Sequence, residues 1–164
     1  MNIYKFYDTD ISGREEYDIS GMQYITLLMT CFKYCTTVAV IISPEFVDNL
    51  DQWEVHRIPL TSNVQTAYSH YGNISQDKLC HIGSYEIRHY QLNDDLKRLI
   101  LSHTDSIFKW ICGWGHNNPN DITFFRLDGS VFFSSIIHEG ECTLYPTEEE
   151  DITDVLNQGG WMAT

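Results

Sequence analysis

Apolar residues recur at helical spacing between Ser20 and Tyr34. Tyr24, Leu27, Leu28, Cys31, Phe32 and Cys35 fall at i, i+3, i+4, i+7, i+8 and i+11, one face wide enough to cover a core. Ser20 and Gln23 have the spacing of a capping box at its start. The pattern then changes. Thr36 to Ser43 is β-branched and almost continuously apolar, which predicts a buried strand stopped by Pro44. Ser43-Pro44-Glu45 has the order of a helix start (cap, proline, acid) and predicts a short helix to about Trp53 with Phe46, Leu50 and Trp53 on its apolar edge. Before all of these, Asn2 to Tyr7 predicts a short strand or ordered arm, and Asp8 to Asp18 a polar, turn-rich segment.

Glu54 to Lys78 reads as irregular, with room for a helical turn between Thr61 and His70. His81 to Leu92 predicts a strand in which Gly83 marks a bulge. Asn93 then caps a helix expected to run to about Trp110, with Asp94 and Asp95 in its first turn. Leu96, Leu99, Ile100, His103, Ile107 and Trp110 would share one face. Gly113 to Asn120 reads as a loop. Asp121 to Leu127 and Ser130 to His138 predict a hairpin joined by Asp128-Gly129 as a two-residue turn. Gly140 permits another turn, Glu141 to Tyr145 a third strand, and Thr147 the cap of an acidic helix from Glu148 to Asn157. Gly159-Gly160 would end that helix, and Trp161 and Met162 would fold back as an apolar plug. Hairpin-linked strands clustered in sequence, with helices around them, predict an α+β fold: an antiparallel sheet that includes a C-terminal β-meander, covered by several α-helices.

Length adds that residues 1–164 make one ordinary domain, able to bury roughly 70% of its unfolded surface without a metal or disulfide. The start lacks the apolar core of a cleavable leader. The longest apolar stretch, Met22 to Ile42, is broken by Gln23, Thr26, Thr30, Lys33, Thr36 and Thr37. A cytoplasmic location is expected. Cys31, Cys35, Cys80, Cys112 and Cys142 are odd in number and form no CxxC, which predicts buried free thiols.

Charge changes the picture most. The chain has 23 acids against 10 Lys and Arg, a formal charge of -13. No lysine or arginine follows Arg126, while Asp128, Glu139, Glu141, Glu148, Glu149, Glu150, Asp151 and Asp154 all do. Such a surface repels phosphate backbones and anionic membranes and speeds the encounter with basic proteins. Neither nucleic acid nor membrane is therefore an expected partner. The N-terminal acids Asp8, Asp10, Glu15, Glu16 and Asp18 would extend the same face if the chain ends lie together.

Candidate chemistry is sparse. His138-Glu139-Gly140-Glu141-Cys142 contains zinc-ligand types, but not the helical spacing of a metal pair, and Gly140 predicts a turn there. His116 lies in a Trp-Gly-His-Asn-Asn loop that could place a base. Ser134-Ser135 lacks the glycines of a nucleophile elbow. No dinucleotide, phosphate-loop or calcium motif occurs, so no cofactor or metal is expected.

The segment from Asp121 through Phe124-Phe125-Arg126-Leu127-Asp128-Gly129-Ser130 to Ser134-Ser135-Ile136-Ile137-His138-Glu139-Gly140 resembles one found in small bacterial proteins. These include immunity proteins of contact-dependent growth inhibition and related polymorphic toxin systems. The resemblance implies a non-enzymatic protein that neutralises a cognate toxin domain, a basic nuclease in many such pairs, by covering its cleft with carboxylates. On that reading Glu139, Glu141, Glu148, Glu149, Glu150, Asp151 and Asp154 would meet the partner, with Tyr145 as aromatic anchor. The residues leave two alternatives open: an acidic adaptor of other role, or a small enzyme using His116 or His138.

Overall fold

The computed structural model describes residues 1–8, 18–46, 50–71, 81–82 and 85–164. In chain order the elements are β1 (Tyr4–Tyr7), α1 (Gly21–Tyr34), β2 (Thr37–Ile42), α2 (Asp51–Glu54), β3 (Arg57–Ile58), α3 (Ser62–Ala67), β4 (His81–Ile82), β5 (Tyr85–Gln91), α4 (Asp94–His103), β6 (Cys112–Gly113), β7 (His116–Asn117), β8 (Asn120–Phe125), β9 (Val131–Ile136), β10 (Glu141–Leu144), α5 (Thr153–Asn157) and β11 (Met162–Ala163). Single 3-10 turns occur at Ser69–Tyr71, Ile107–Lys109 and Ile137–Glu139.

The fold is α+β. Among the described residues one antiparallel sheet runs β11-β1-β10-β9-β8-β2-β5-β3, with β4 also on β5, and β6-β7 forms a separate hairpin. The β8-β9-β10 meander is the one the hydrophobic pattern predicts. Both faces of the sheet are covered, which is why β2 shows no alternation of polar residues. Val38, Val40 and Ile42 join the larger core with Tyr24, Leu28 and Phe32 of α1 and Leu96 and Ile100 of α4. Ala39 and Ile41 point the other way, into a smaller cluster with Val64, Tyr68, Ile87 and Phe125.

Trp110 is fully buried, and its Nε1 donates to Tyr24 Oη at 2.9 Å. Burial pushes the Tyr24 hydroxyl and the Cys31 and Cys142 thiols up, and the Cys35 thiol up to about 12. Cys31, Cys35, Cys112 and Cys142 are free thiols, and Cys80 lies outside the described residues. No helix among the described residues is long and apolar enough to cross a membrane.

Several expected boundaries move. Ser20 forms no side-chain cap; it bridges to Ser106, and Gln23 donates to Gly159 O instead. Ser43-Pro44-Glu45 closes a turn, with Phe46 N–H donating to Ser43 O at 3.0 Å and the Ser43 hydroxyl held by the Glu45 carboxylate, so among the described residues the expected helix is present only as α2. The strand expected over His81 to Leu92 is two, β4 and β5, paired with each other, and Gly83 lies outside the described residues. Most of Asp8 to Asp18 lies outside them as well. The loop at Gly113 to Asn120 contains the β6-β7 hairpin.

Asn93 does cap α4, accepting from Leu96 N–H at 3.0 Å. The helix ends at His103, seven residues early, because Ser106 starts a new 3-10 turn by accepting from Phe108 N–H. Asn93→Ala is expected to cost about 1 kcal/mol in urea unfolding. A loss below a few tenths would show that the cap is idle.

The β8-β9 turn is centred one residue earlier than Asp128-Gly129. Gly129 N–H donates to Arg126 O and Arg126 N–H to Ser130 O, both at 2.9 Å, so Leu127 and Asp128 are central and Gly129 is the left-handed bulge at φ 85.

Candidate functional site

Bases are few, and the fold uses nearly all of the described ones internally. Lys5 pairs with Glu141, Arg57 and Arg88 with Glu54 and Glu86, Lys97 with Asp94, Arg98 with Asp95, Lys109 with Asp105, and Arg126 with Glu150, at 2.6–3.9 Å. Lys33 lies over the Tyr34 ring, within the field of Asp151 and Asp154. Glu148 and Glu149 are exposed, with no Lys or Arg in pairing distance among the described residues. The surface charge is thus negative by construction rather than by count alone.

β10 separates the acids that sequence grouped together. Glu139 and Glu141 stand at its start, beside Asp8, whose N–H donates to Gly140 O at 2.8 Å. Glu148, Glu149, Asp151 and Asp154 stand beyond its end, roughly 15 Å further along an extended chain. The expected junction of chain ends is present: β1 lies between β10 and β11, and Thr164 N–H donates to Ile3 O at 2.8 Å.

Two of the expected surface acids are structural. Glu141 is held by Lys5 at 2.8 Å. Glu150 is held more deeply. Its side chain is 9% exposed, and both its oxygens accept from Arg126, at 2.6 and 2.7 Å. It also accepts from Thr147 N–H at 2.8 Å. That is the backward half of a capping box, used here to close a turn, so the acidic helix shrinks from Glu148–Asn157 to α5. Hydrogen bonds from the Thr153 side chain and from its N–H, the latter at 2.9 Å, hold the Asp151 carboxyl below the usual range. Tyr145 is half-buried, and its carbonyl accepts from Arg126 Nη2 at 2.6 Å. Trp161 meets Phe6 edge-on at 5.5 Å, so the predicted plug forms, with Met162 in β11.

Histidine placement shows a second feature. His138 borders a cleft of about 220 Å³ with His70, Tyr71, Tyr85, Cys112 and Asn120. Behind them lies Asp121, 1% exposed and in the left-handed region at φ 55. Its Oδ1 accepts from Ile137 N–H at 2.8 Å, its Oδ2 accepts from the Tyr71 hydroxyl, and His70 Nε2 and His138 Nδ1 each stand 3.9 Å from Oδ2. His70, Tyr71 and Asp121 gave no signal in sequence, since the 3-10 turn that carries His70 and Tyr71 lies about fifty residues from Asp121 in β8. His116 sits apart in β7, paired with Gly113. Among the described residues no group of three His, Cys, Asp or Glu side chains is placed to hold a metal ion.

Comparisons with protein-family models, with curated proteins and with solved structures each return no match. The fold and the charge distribution therefore carry the functional reading.

Proposed function

We propose that this chain is a binding protein for a basic protein partner, and that the partner is a toxin domain which it neutralises. One observation supports this most: internal ion pairs take up the described bases other than Lys33, leaving Glu148, Glu149 and Asp154 exposed. Long-range attraction then raises the rate of encounter with a positive surface, and aromatic contacts such as Tyr145 hold the complex. The toxin assignment rests on the resemblance of the Asp121–Gly140 segment. A nuclease with a basic cleft fits the same chemistry, because carboxylates would stand where phosphates bind.

The decisive experiment is co-expression with the protein encoded directly upstream, followed by co-purification and a growth assay. A stable complex that rescues growth supports neutralisation. Absence of both moves the reading to an acidic adaptor. The His70-Asp121-His138 cleft favours a small enzyme as second reading. Rescue by His70→Gln and His138→Gln at the wild-type level would set that aside.

Reversing Glu148, Glu149 and Asp154 to Lys together is expected to slow association with the partner about tenfold to a hundredfold at low salt, with a flatter salt dependence. Stopped-flow or surface-capture kinetics at two ionic strengths measure it. Unchanged kinetics would remove this end of the molecule from the interface. Folding should be unaffected, since these side chains are exposed and Glu150 is left in place.

A further inference from the structure

α1 is apolar on two sides. Tyr24, Leu27, Leu28, Cys31 and Phe32 turn into the larger core. On the outward side Met22, Ile25 and Met29 are 72, 37 and 54% exposed. Their spacing is i, i+3 and i+7, so they form one stripe about 10 Å long. The other exposed large hydrophobics among the described residues, Met1, Val55, Trp114 and Leu127, stand singly on separate segments. A helix that is apolar all round is normally covered on every side. Among the described residues nothing covers this one.

The flank of α1 beside this stripe is acidic. Asp151 N–H donates to Tyr34 Oη at 2.8 Å, and Gln23 Nε2 donates to Gly159 O at 3.0 Å. The chain from Asp151 to Gly159 therefore runs back along α1, antiparallel to it. It brings the exposed Asp151 and Asp154 alongside, with Glu148 and Glu149 just before them. Lys33 is the only Lys or Arg in α1. It lies over the Tyr34 ring, on the same flank and within the field of Asp151 and Asp154. Four carboxylates against one ammonium leave the rim negative. Thr30 adds no competing polar group, since its hydroxyl donates to Thr26 O at 2.8 Å within the helix.

We infer that the α1 stripe seats a basic amphipathic helix of the partner, its apolar anchors on Met22, Ile25 and Met29 and its Lys or Arg side chains toward Asp151 and Asp154. This surface rests on the reading of a basic protein partner and states which face holds it. A helix fits because α1 offers side chains and no open backbone. A helical partner pairs its own N–H and C=O groups, whereas an extended segment laid here would bury unpaired ones. Methionine suits the task, because its flexible thioether adapts to the shape of what it meets. A second copy of this chain is a poor occupant, since it brings a formal charge of -13 to an acidic rim.

The probe is a synthetic helix of about 18 residues with leucines at i, i+3, i+4 and i+7 on one face and lysines on the other. The control has the same composition, rearranged so that no apolar face forms. Carbon-13 labelling of the methionine methyls gives separate signals for Met22, Met29 and Met162, assigned by single Met→Leu substitutions. The amphipathic peptide is expected to move the Met22 and Met29 signals, leave Met162 in place, and bind about tenfold tighter than the control. Met22→Gln combined with Met29→Gln changes only exposed positions and keeps a good helix former at each, so the chain folds as before. It should weaken the amphipathic peptide about tenfold and leave the control unchanged. Equal binding of both peptides, with Met22 and Met29 unmoved, would overturn the stripe while leaving the attraction of a basic partner intact. Absence of binding by the amphipathic peptide would also overturn it, and growth rescue judges the toxin reading separately.

Discussion

Arg126→Met is expected to destabilise the fold by about 3–5 kcal/mol, the range for breaking one side of a buried ion pair. Arg126 leaves the end of β8, and its guanidinium ties three places together: Ser130 and Val131 at the far side of the hairpin, Tyr145 after β10, and Glu150 in the following turn. Methionine fills part of the volume and supplies none of those donors. The Glu150 carboxylate would keep its bonds from Thr147 and lose those from the guanidinium. The pH dependence tests the same idea. Burial pushes the Glu150 carboxyl up, but the bonds from Arg126 and Thr147 more than offset it, and the net value lies below the usual range. A depressed carboxyl contributes stability that is present above its unfolded value, about 4.3. That stability is lost as pH falls through the lower folded value. The gap between wild type and Arg126→Met should therefore be full at pH 7 and narrow below about pH 4. Urea unfolding at both pH values checks it. The double variant Arg126→Met, Glu150→Leu should recover much of the loss, since it leaves no lone buried charge. A double variant no better than the single one would show that the arginine acts through its backbone acceptors rather than through Glu150.

Asp121→Ala should cost about 2–4 kcal/mol, combining an unpaired Ile137 N–H with a left-handed backbone that alanine resists. Asp121 is fixed from four directions. Its N–H donates to Trp110 O at 3.1 Å, its carbonyl accepts from Tyr68 Oη at 2.7 Å, and its carboxylate takes Ile137 N–H and the Tyr71 hydroxyl. Burial, then the neighbouring Asp121 charge, pushes the Tyr71 hydroxyl up, so it remains a donor. Asparagine tolerates φ 55 and keeps an oxygen for Ile137. Asp121→Asn should therefore lose less than half as much in thermal unfolding. Equal damage from both substitutions would assign the effect to the charge, and so to the facing histidines His70 and His138.

Those two sites show where sequence reading reaches its limit. α1, β2, the cap of α4 and the β8-β9-β10 meander follow from short-range pattern, because periodicity and turn chemistry act over a few residues. Local signals also mislead when a nearby group takes the same atoms. Ser43 caps no helix because Glu45 takes its hydroxyl, and Thr147-Glu150 has the spacing of a helix start but serves Arg126. The acidity of the surface is plain from composition. Which acids are free is not, since Lys5 meets Glu141 and Arg126 meets Glu150 only after strands far apart in sequence are laid side by side. The left-handed Asp121 has no glycine to announce it.

The position of β1 sets a schedule. Tyr4 is made well before its partner Leu144, which follows about 140 residues later. At about 5–20 residues per second, β1 waits roughly 7–28 s on a ribosome before β10 exists to receive it. Only late in that interval can β8 and β9 pair, and until β10 follows them Phe6, part of the finished core, stays uncovered. Closure of β1 onto β10 is therefore a late, long-range event, and until then β1 is exposed to wrong pairing during synthesis.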